Sequence, residues 1–241
     1  MWKFEEKMQI KRLKLYHCPV VRSARVKWLL HELLDEDFDV EVVSLYDATQ
    51  YRDEYLNINP NHAVPVLEIY TDTGKQMRMI ESGAIVTFLA DLYPDKNLAP
   101  SAHEFSPERS DYLQMLQFGT SSVDMMLWQI RIHEHVLPAS EKDERTIRRY
   151  RDKFTREVEP QLERRLVKTP FICGNEFSAV DCIIGHCVMW AQAYQLCTSP
   201  VFAAYVTRLA GRPAFARAFS DAHQFVLAVP EEYEVKKLFT G

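Results

Sequence analysis

No run of apolar residues in the 241-residue chain approaches the roughly eighteen that a membrane span needs, so the sequence predicts no transmembrane helix and no membrane partner. The opening residues, MWKFEEKMQIKR, are charged throughout and lack the apolar stretch of a secretory signal, which points to a cytoplasmic protein. Basic residues are not in excess. Against 34 Asp and Glu stand 29 Lys and Arg, a formal charge of -5, and nucleic acid is not expected as a partner. The five cysteines, Cys18, Cys173, Cys182, Cys187 and Cys197, are odd in number and lack the short regular spacing of a disulfide framework, so free thiols are expected. No two of them stand at a CxxC spacing, which argues against a dithiol mechanism. Cys182, His186 and Cys187 fall inside one apolar helical pattern with no second ligand pair, so they read as core and no metal is expected.

What is present is a globular composition, 47% hydrophobic and 26% charged. The first third alternates in type. Residues 11–16 (KRLKLY) read as a strand, and 23–34 (SARVKWLLHELL) place Val26, Leu29, Leu30, Leu33 and Leu34 on one helical stripe. A second strand is expected at 39–45, a short helix at 50–57, a hairpin at 66–70 and 76–80, and a helix over 81–93 that Pro94 ends. The order is βαβαββα in residues 11–95. The stretch 96–105 carries a proline and few apolar residues and reads as a linker, and 106–241 as an all-helical domain. Helices are expected at 106–135, 141–167, 178–196 and 200–210, with a short one after Pro213. Such a chain is expected to hold two cores, one per domain.

One local feature resists this reading. In NINPNHAVPVLEIY, residues 57–70, Pro65 sits at the start of an apolar strand although it has no N–H for a ladder. Proline in a sheet is confined to the first residue, an edge or a bulge. Placed here it leaves neighbouring backbone groups to something other than the next strand.

Four stretches occur in a telling order: LYHCPVVRSARVKWLL, NPNHAVPVLE, ESGAIVTFLADLYP and FSAVDCIIG. In this order they resemble the cytosolic glutathione transferases, over about residues 13–219. The resemblance implies a thioredoxin-like α/β domain followed by an all-α helical bundle, the glutathione S-transferase fold. It also implies a transferase of detoxification type that uses glutathione as co-substrate, with a small apolar or disulfide compound as the other substrate. By the same resemblance Pro65 is cis, and Val64 turns its N–H and C=O to the cysteinyl backbone of glutathione. Glu81 and Ser82 hold its γ-glutamyl end, and Arg22 supports its glycine carboxylate or its sulfur. A homodimer is implied, with the residues ahead of the first strand as an extension able to modify the interface. Ser178 and Asp181 form a capping box with Phe177 as a hydrophobic staple, a folding element and not a chemical one.

Two residues compete to act on the glutathione sulfur. Cys18, followed by Pro19 and seven residues before Arg25, is similar to the cysteine-proline pair of omega-class enzymes. There a helix N-terminus and Arg22 are expected to lower the thiol's pKa and favour thiol exchange. Ser23, in the first turn of the helix, is the alternative donor to a glutathione thiolate. Val20 and Val21 stand where other classes place a serine and offer no polar atom. Tyr16 belongs to the strand and points inward. Phe118, Trp128, Trp190 and Tyr194 lie on the long helices, where those facing the cleft line the second site. A different reading of the same layout is a non-catalytic binding or regulatory protein acting through protein contacts.

Overall fold

The computed structural model describes residues 8–225. The charged residues before Met8, and with them most of the expected extension, lie outside the described residues, as does the end of the region assigned to 106–241.

The sheet has four strands in the order β2-β1-β3-β4: β1 Ile10–His17, β2 Asp39–Val42, β3 Val66–Thr71 and β4 Gln76–Ile80. β1 runs parallel to β2 and antiparallel to β3, and β3 forms a hairpin with β4. Alternation then sorts the side chains. Leu13, Leu15, Leu67 and Ile69 enter the main core, whereas Tyr16 and Val66 join Cys18, Val43, Tyr55 and Val64 in a small second cluster.

Helix α1, Ser23–Leu34, lies over the first face with Val26, Leu29, Leu30 and Leu33 buried, as its stripe predicts. After the short α2, Asp53–Leu56, and α3, Ser82–Leu92, no helix or strand falls between Asn97 and Phe105. The rest is helical: α4 Pro107–Gln117, α5 Asp124–Arg131, α6 Glu144–Lys153, α7 Glu159–Leu166, α8 Ala179–Ala193, α9 Pro200–Ala210 and α10 Pro213–Ala218. The predicted helices over 106–135 and 141–167 are continuous but interrupted by π-type stretches at Phe118–Val123, Ile132–Val136 and Phe154–Val158.

Two separate cores were expected, and the structure corrects this. One core runs from Leu13 to Ala218, across both parts of the chain. Its centre is Trp28 of α1, fully buried, with ring centroids 5.6 Å from Phe177, 5.1 Å from Phe215 and 6.1 Å from Phe219. The boundary between clusters runs through the sheet instead, because the strands bury side chains on both faces. Asp181 fixes the start of α8: its carboxylate accepts from the Ser178 N–H at 2.9 Å, the Ile172 N–H at 3.0 Å and the Tyr205 hydroxyl at 2.7 Å. Among the described residues no helix is long and apolar enough to cross a membrane, and no cluster of three or more His, Cys, Asp or Glu is arranged to hold a metal ion.

Candidate functional site

The turn before β3 accounts for its proline. The Val64–Pro65 peptide bond is cis. Ahead of it, Asn59 Nδ2 and Tyr55 Oη both donate to the Ala63 carbonyl at 2.8 Å, and the Asn61 N–H donates to Asn59 Oδ1 at 3.1 Å. Pairing begins only at Val66, which sits opposite Tyr16 on one side and Ile80 on the other. The N–H and C=O of Val64 therefore have no protein partner among the described residues, although the side chain is buried. Unpaired main-chain groups at this depth call for a partner.

Helix α3 opens on the same cleft. Glu81 has φ 70° and ψ 112°, a strained conformation for a residue with a Cβ, and turns the chain from β4 into the helix. The N–H groups of the first turn have no intrahelical acceptors, and the positive end of the dipole lies there. Gly83 permits the close approach that shapes the cleft wall: a Cβ on it would lie 2.9 Å from Thr120 Cγ2. Thr120 belongs to the π-type stretch, which carries Thr120 and Ser121 to the cleft opposite Val64, Glu81 and Ser82. The cleft measures about 370 Å³.

Beneath it lies a buried polar network that sequence reasoning missed. Arg25, fully buried, donates to Asp124 Oδ1 at 2.5 Å, to His186 Nδ1 at 3.1 Å, to the Cys187 sulfur at 3.2 Å and to Ser82 Oγ at 3.4 Å. Arg22 donates to the other oxygen of Asp124 at 2.5 Å. Burial alone would raise the Asp124 pKa, but Arg25 and Arg22 hold it at about 2. Burial, with Arg25 alongside, lowers the His186 pKa to about 3, so the ring is neutral. The bonds fix its tautomer: Nδ1 accepts from Arg25 while Nε2–H donates to the Val20 carbonyl at 2.6 Å. Val20 has φ 67°, unusual for a β-branched residue. Because the Ser82 oxygen accepts from Arg25, its own proton is left to donate toward the cleft. The available sequence signal was a charge at position 25, four residues before Leu29 on the buried stripe; its partner Asp124 is 99 residues away.

The two candidates for sulfur chemistry sit elsewhere. Cys18 is 1% exposed, packed in the second cluster, and burial with a contribution from Asp221 pushes its thiol up to about 11. That is opposite to the lowering expected from the helix end. Ser23 is fully buried and closes the loop: its oxygen accepts from the Cys18 N–H at 3.0 Å, and its proton lies between His17 Nδ1 at 2.9 Å and the Cys18 carbonyl at 3.0 Å. His17 Nε2 in turn faces Asp221 at 3.2 Å. The order Ser23, His17, Asp221 copies a hydrolase relay, but Ser23 and His17 have no exposed surface and no substrate reaches them. Neither Cys18 nor Ser23 lines the cleft; Arg22, Val64, Pro65, Glu81 and Ser82 do.

On the other side of Arg22 is a second recess of about 250 Å³, apolar and walled by Trp128, Trp190, Tyr194, Phe219 and Phe225. The Arg22 guanidinium lies 5.3 Å from the ring centroids of both Trp128 and Trp190 and lines both recesses. A polar cleft and an apolar pocket thus share one cationic wall.

Comparison with known proteins places this geometry. Residues 15–97 match the family described as glutathione S-transferase, N-terminal domain. The disulfide-bond oxidoreductase YfcG of Escherichia coli strain K12 is 28% identical over 217 residues, covering 87% of this chain and 95% of its own. The crystal structure of a glutathione transferase from Methylococcus capsulatus strain Bath superimposes with a TM-score of 0.74 at 26% identity, covering 88% of this chain and all of that one. A glutathione transferase family member from Pseudomonas fluorescens Pf-5, solved with two glutathione bound, shares the fold with the same TM-score at 21% identity, over 86% of this chain and 92% of its own. With the cis-proline turn, the strained entry to α3 and the helical half docked on α1, these matches give residues 15–97 the N-terminal domain of the glutathione S-transferase family and the chain as a whole the fold of the glutathione transferases.

Proposed function

We propose that the polar cleft binds glutathione and that the protein transfers it to, or exchanges thiols with, a small substrate held in the apolar pocket. The observation that carries this reading is the unpartnered Val64 N–H and C=O beside an open helix N-terminus. An extended tripeptide pairs with Val64 as a short added strand. Its γ-glutamyl carboxylate meets the α3 N–H groups and the Ser82 hydroxyl, and its ammonium meets Glu81.

The nucleophile in this proposal is the sulfur of glutathione itself. An attacking thiolate must form and reach its target, and Cys18 is buried with a thiol pushed up to about 11. The Arg22 guanidinium stands at the junction of cleft and pocket and stabilises a thiolate there. With a glutathione mixed disulfide, the thiolate attacks the glutathionyl sulfur. A new S–S bond joins two glutathiones, the old S–S bond breaks, and the departing thiolate takes a proton from water. With an electrophilic carbon, a C–S bond forms and the leaving group departs with its electron pair. The relationship to a protein named as a disulfide-bond oxidoreductase supports the first of these. The working unit in this reading is a homodimer, which light scattering at micromolar concentration reads.

Calorimetry tests the proposal: titration with glutathione should give one saturable site per chain, and the protein should turn over a glutathione mixed disulfide to oxidised glutathione. Absence of both heat and retention on immobilised glutathione overturns it in favour of an interaction module.

A further inference from the structure

We propose that the apolar pocket selects an aromatic acid, a flat ring system bearing a carboxylate or sulfonate, with Arg131 as the counter-ion that confers the preference. As a statement about substrate class it rests on the reading of the adjoining cleft as the glutathione site.

The walls set the aromatic half of the assignment. Trp128 and Trp190 from α5 and α8 line it together with Phe219 and Phe225, around a space of about 250 Å³, just under the range that small-molecule pockets usually occupy. Flat rings at offset or edge-on angles are the natural filling.

The charged half comes from a difference between two arginines. Arg22 and Arg131 both line the pocket. Arg22 is held by Asp124 at 2.5 Å, a carboxylate that it shares with Arg25. Arg131, at the last position of α5, makes no ion pair among the described residues; its guanidinium stacks 5.4 Å from the centroid of Phe225. A cation in apolar surroundings favours an anionic partner. The buried Tyr194 hydroxyl lies beside it, within the reach of the Arg131 and Trp190 N–H groups, so its own proton is left to donate. One acidic group accepts from both, as an aromatic acid does when its rings lie against the aromatic walls. The other polar group in the wall, His186, has both nitrogens engaged by Arg25 and Val20 and has none to offer.

Three probes of one shape separate the contributions: 1-naphthoate, neutral 1-naphthalenemethanol and cationic 1-naphthylmethylammonium. Their binding to the full chain is read by quenching of tryptophan fluorescence, since Trp128 and Trp190 line the site. Naphthoate is expected to bind at least about tenfold more tightly than the alcohol, and the ammonium more weakly than either. Arg131→Gln should bring naphthoate to the affinity of the alcohol and leave the alcohol unchanged, and Arg131→Lys should restore part of the preference. Equal affinities in the parent, a preference that survives in Arg131→Gln, or no binding of any probe each overturns the proposal. Glutathione is titrated separately by calorimetry, so naphthoate binding without glutathione binding would sink the reading of the cleft and leave the pocket's preference for an acid standing.

Discussion

The two recesses on either side of Arg22 are built in opposite ways. The polar cleft is made largely of main chain: a turn at residues 59–65, a cis proline, two unpaired groups on Val64 and the first turn of α3. The apolar pocket is made of side chains from four separated stretches, residues 20–22, 128–131, 186–194 and 219–225. A main-chain site needs particular residues at adjacent positions, so it leaves a short pattern in the sequence. A side-chain pocket needs only bulk and shape after folding, and its aromatics look like any helical core. The first kind is fixed by local backbone geometry and the second by how helices meet.

Arg25 joins the two and offers the strongest way to break the comparison. Its guanidinium bonds to Ser82 under the cleft and to His186 behind the pocket wall. Arg25→Met should cost about 3 kcal/mol of stability, the low end for breaking a buried ion pair because Arg22 still faces Asp124. Urea unfolding reads it directly. A loss below about 1 kcal/mol would mean that the two recesses are organised independently.

Next in size is an acid sensitivity from the same network. Burial holds the His186 pKa at about 3 against an ordinary 6.5. Between those values the unfolded chain binds a proton that the folded one excludes. Stability from this group is therefore complete above about pH 6.5 and is lost as pH falls toward 3. His186 faces Arg25, Arg22 and Asp124 as well as the Val20 carbonyl, and none of these changes charge in most of that window. His186→Gln should flatten the dependence of melting temperature on pH between 6.5 and 4. The remaining slope belongs partly to His17, whose pKa burial also lowers. An unchanged slope would place the acid sensitivity elsewhere.

Ser82→Ala sharpens the contrast by touching the cleft alone. Glutathione should bind more weakly by about 1–3 kcal/mol, the cost of removing one partner of a hydrogen bond to a charged group. Naphthoate binding in the pocket should not move. Calorimetry and fluorescence on the same variant make the comparison, and equal losses at both sites would show that Ser82 acts through Arg25 and not on a ligand.

How far the molecule was legible follows the same division. Helix α1 and strand β4 occupy the residues their patterns predicted, because an apolar stripe and a bounded hairpin are local signals. β2 stops at Val42 where 45 was expected, since beyond Val43, whose N–H donates to the His17 carbonyl at 2.7 Å, the chain leaves the sheet. The π-type stretches were not legible: a widened turn keeps the apolar residues on one side, so periodicity runs through it. The merged core was missed for a related reason. A pattern says which face of α1 is buried, but not that Trp28 packs on Phe177 and Phe215 from the far end of the chain. Of the residues lining the cleft, Val64, Pro65, Glu81 and Ser82 stand in adjacent pairs and were named from the sequence, whereas Asp124 in the cleft and Arg131 in the pocket, positioned only by helix packing, were not.

Cys18 marks the limit of local reading, and the smallest expected effect belongs to it. A cysteine before proline at the entrance to a helix has the sequence context of a reactive thiol, but the strand before it carries the side chain into the cluster of Tyr16, Val43 and Val66 and away from the cleft. Burial raises the thiols of all five cysteines, with Cys18 at about 11 and Cys173 and Cys187 at about 12. Brief iodoacetamide treatment at neutral pH should therefore label none of them readily, and bound glutathione should make no difference. Cys18→Ala should cost about 1 kcal/mol of stability for the lost packing and leave reduction of mixed disulfides unchanged. Ser23→Ala should lose more stability, about 1–3 kcal/mol, because the Cys18 N–H and His17 Nδ1 are left without a partner, again with turnover preserved in the folded fraction. Peptide mapping by mass spectrometry and a coupled turnover assay separate the two roles. Loss of turnover in a folded Cys18→Ala variant would put the nucleophile on the protein, require the loop at 18–22 to open, and return the comparison between the two recesses to a question about motion.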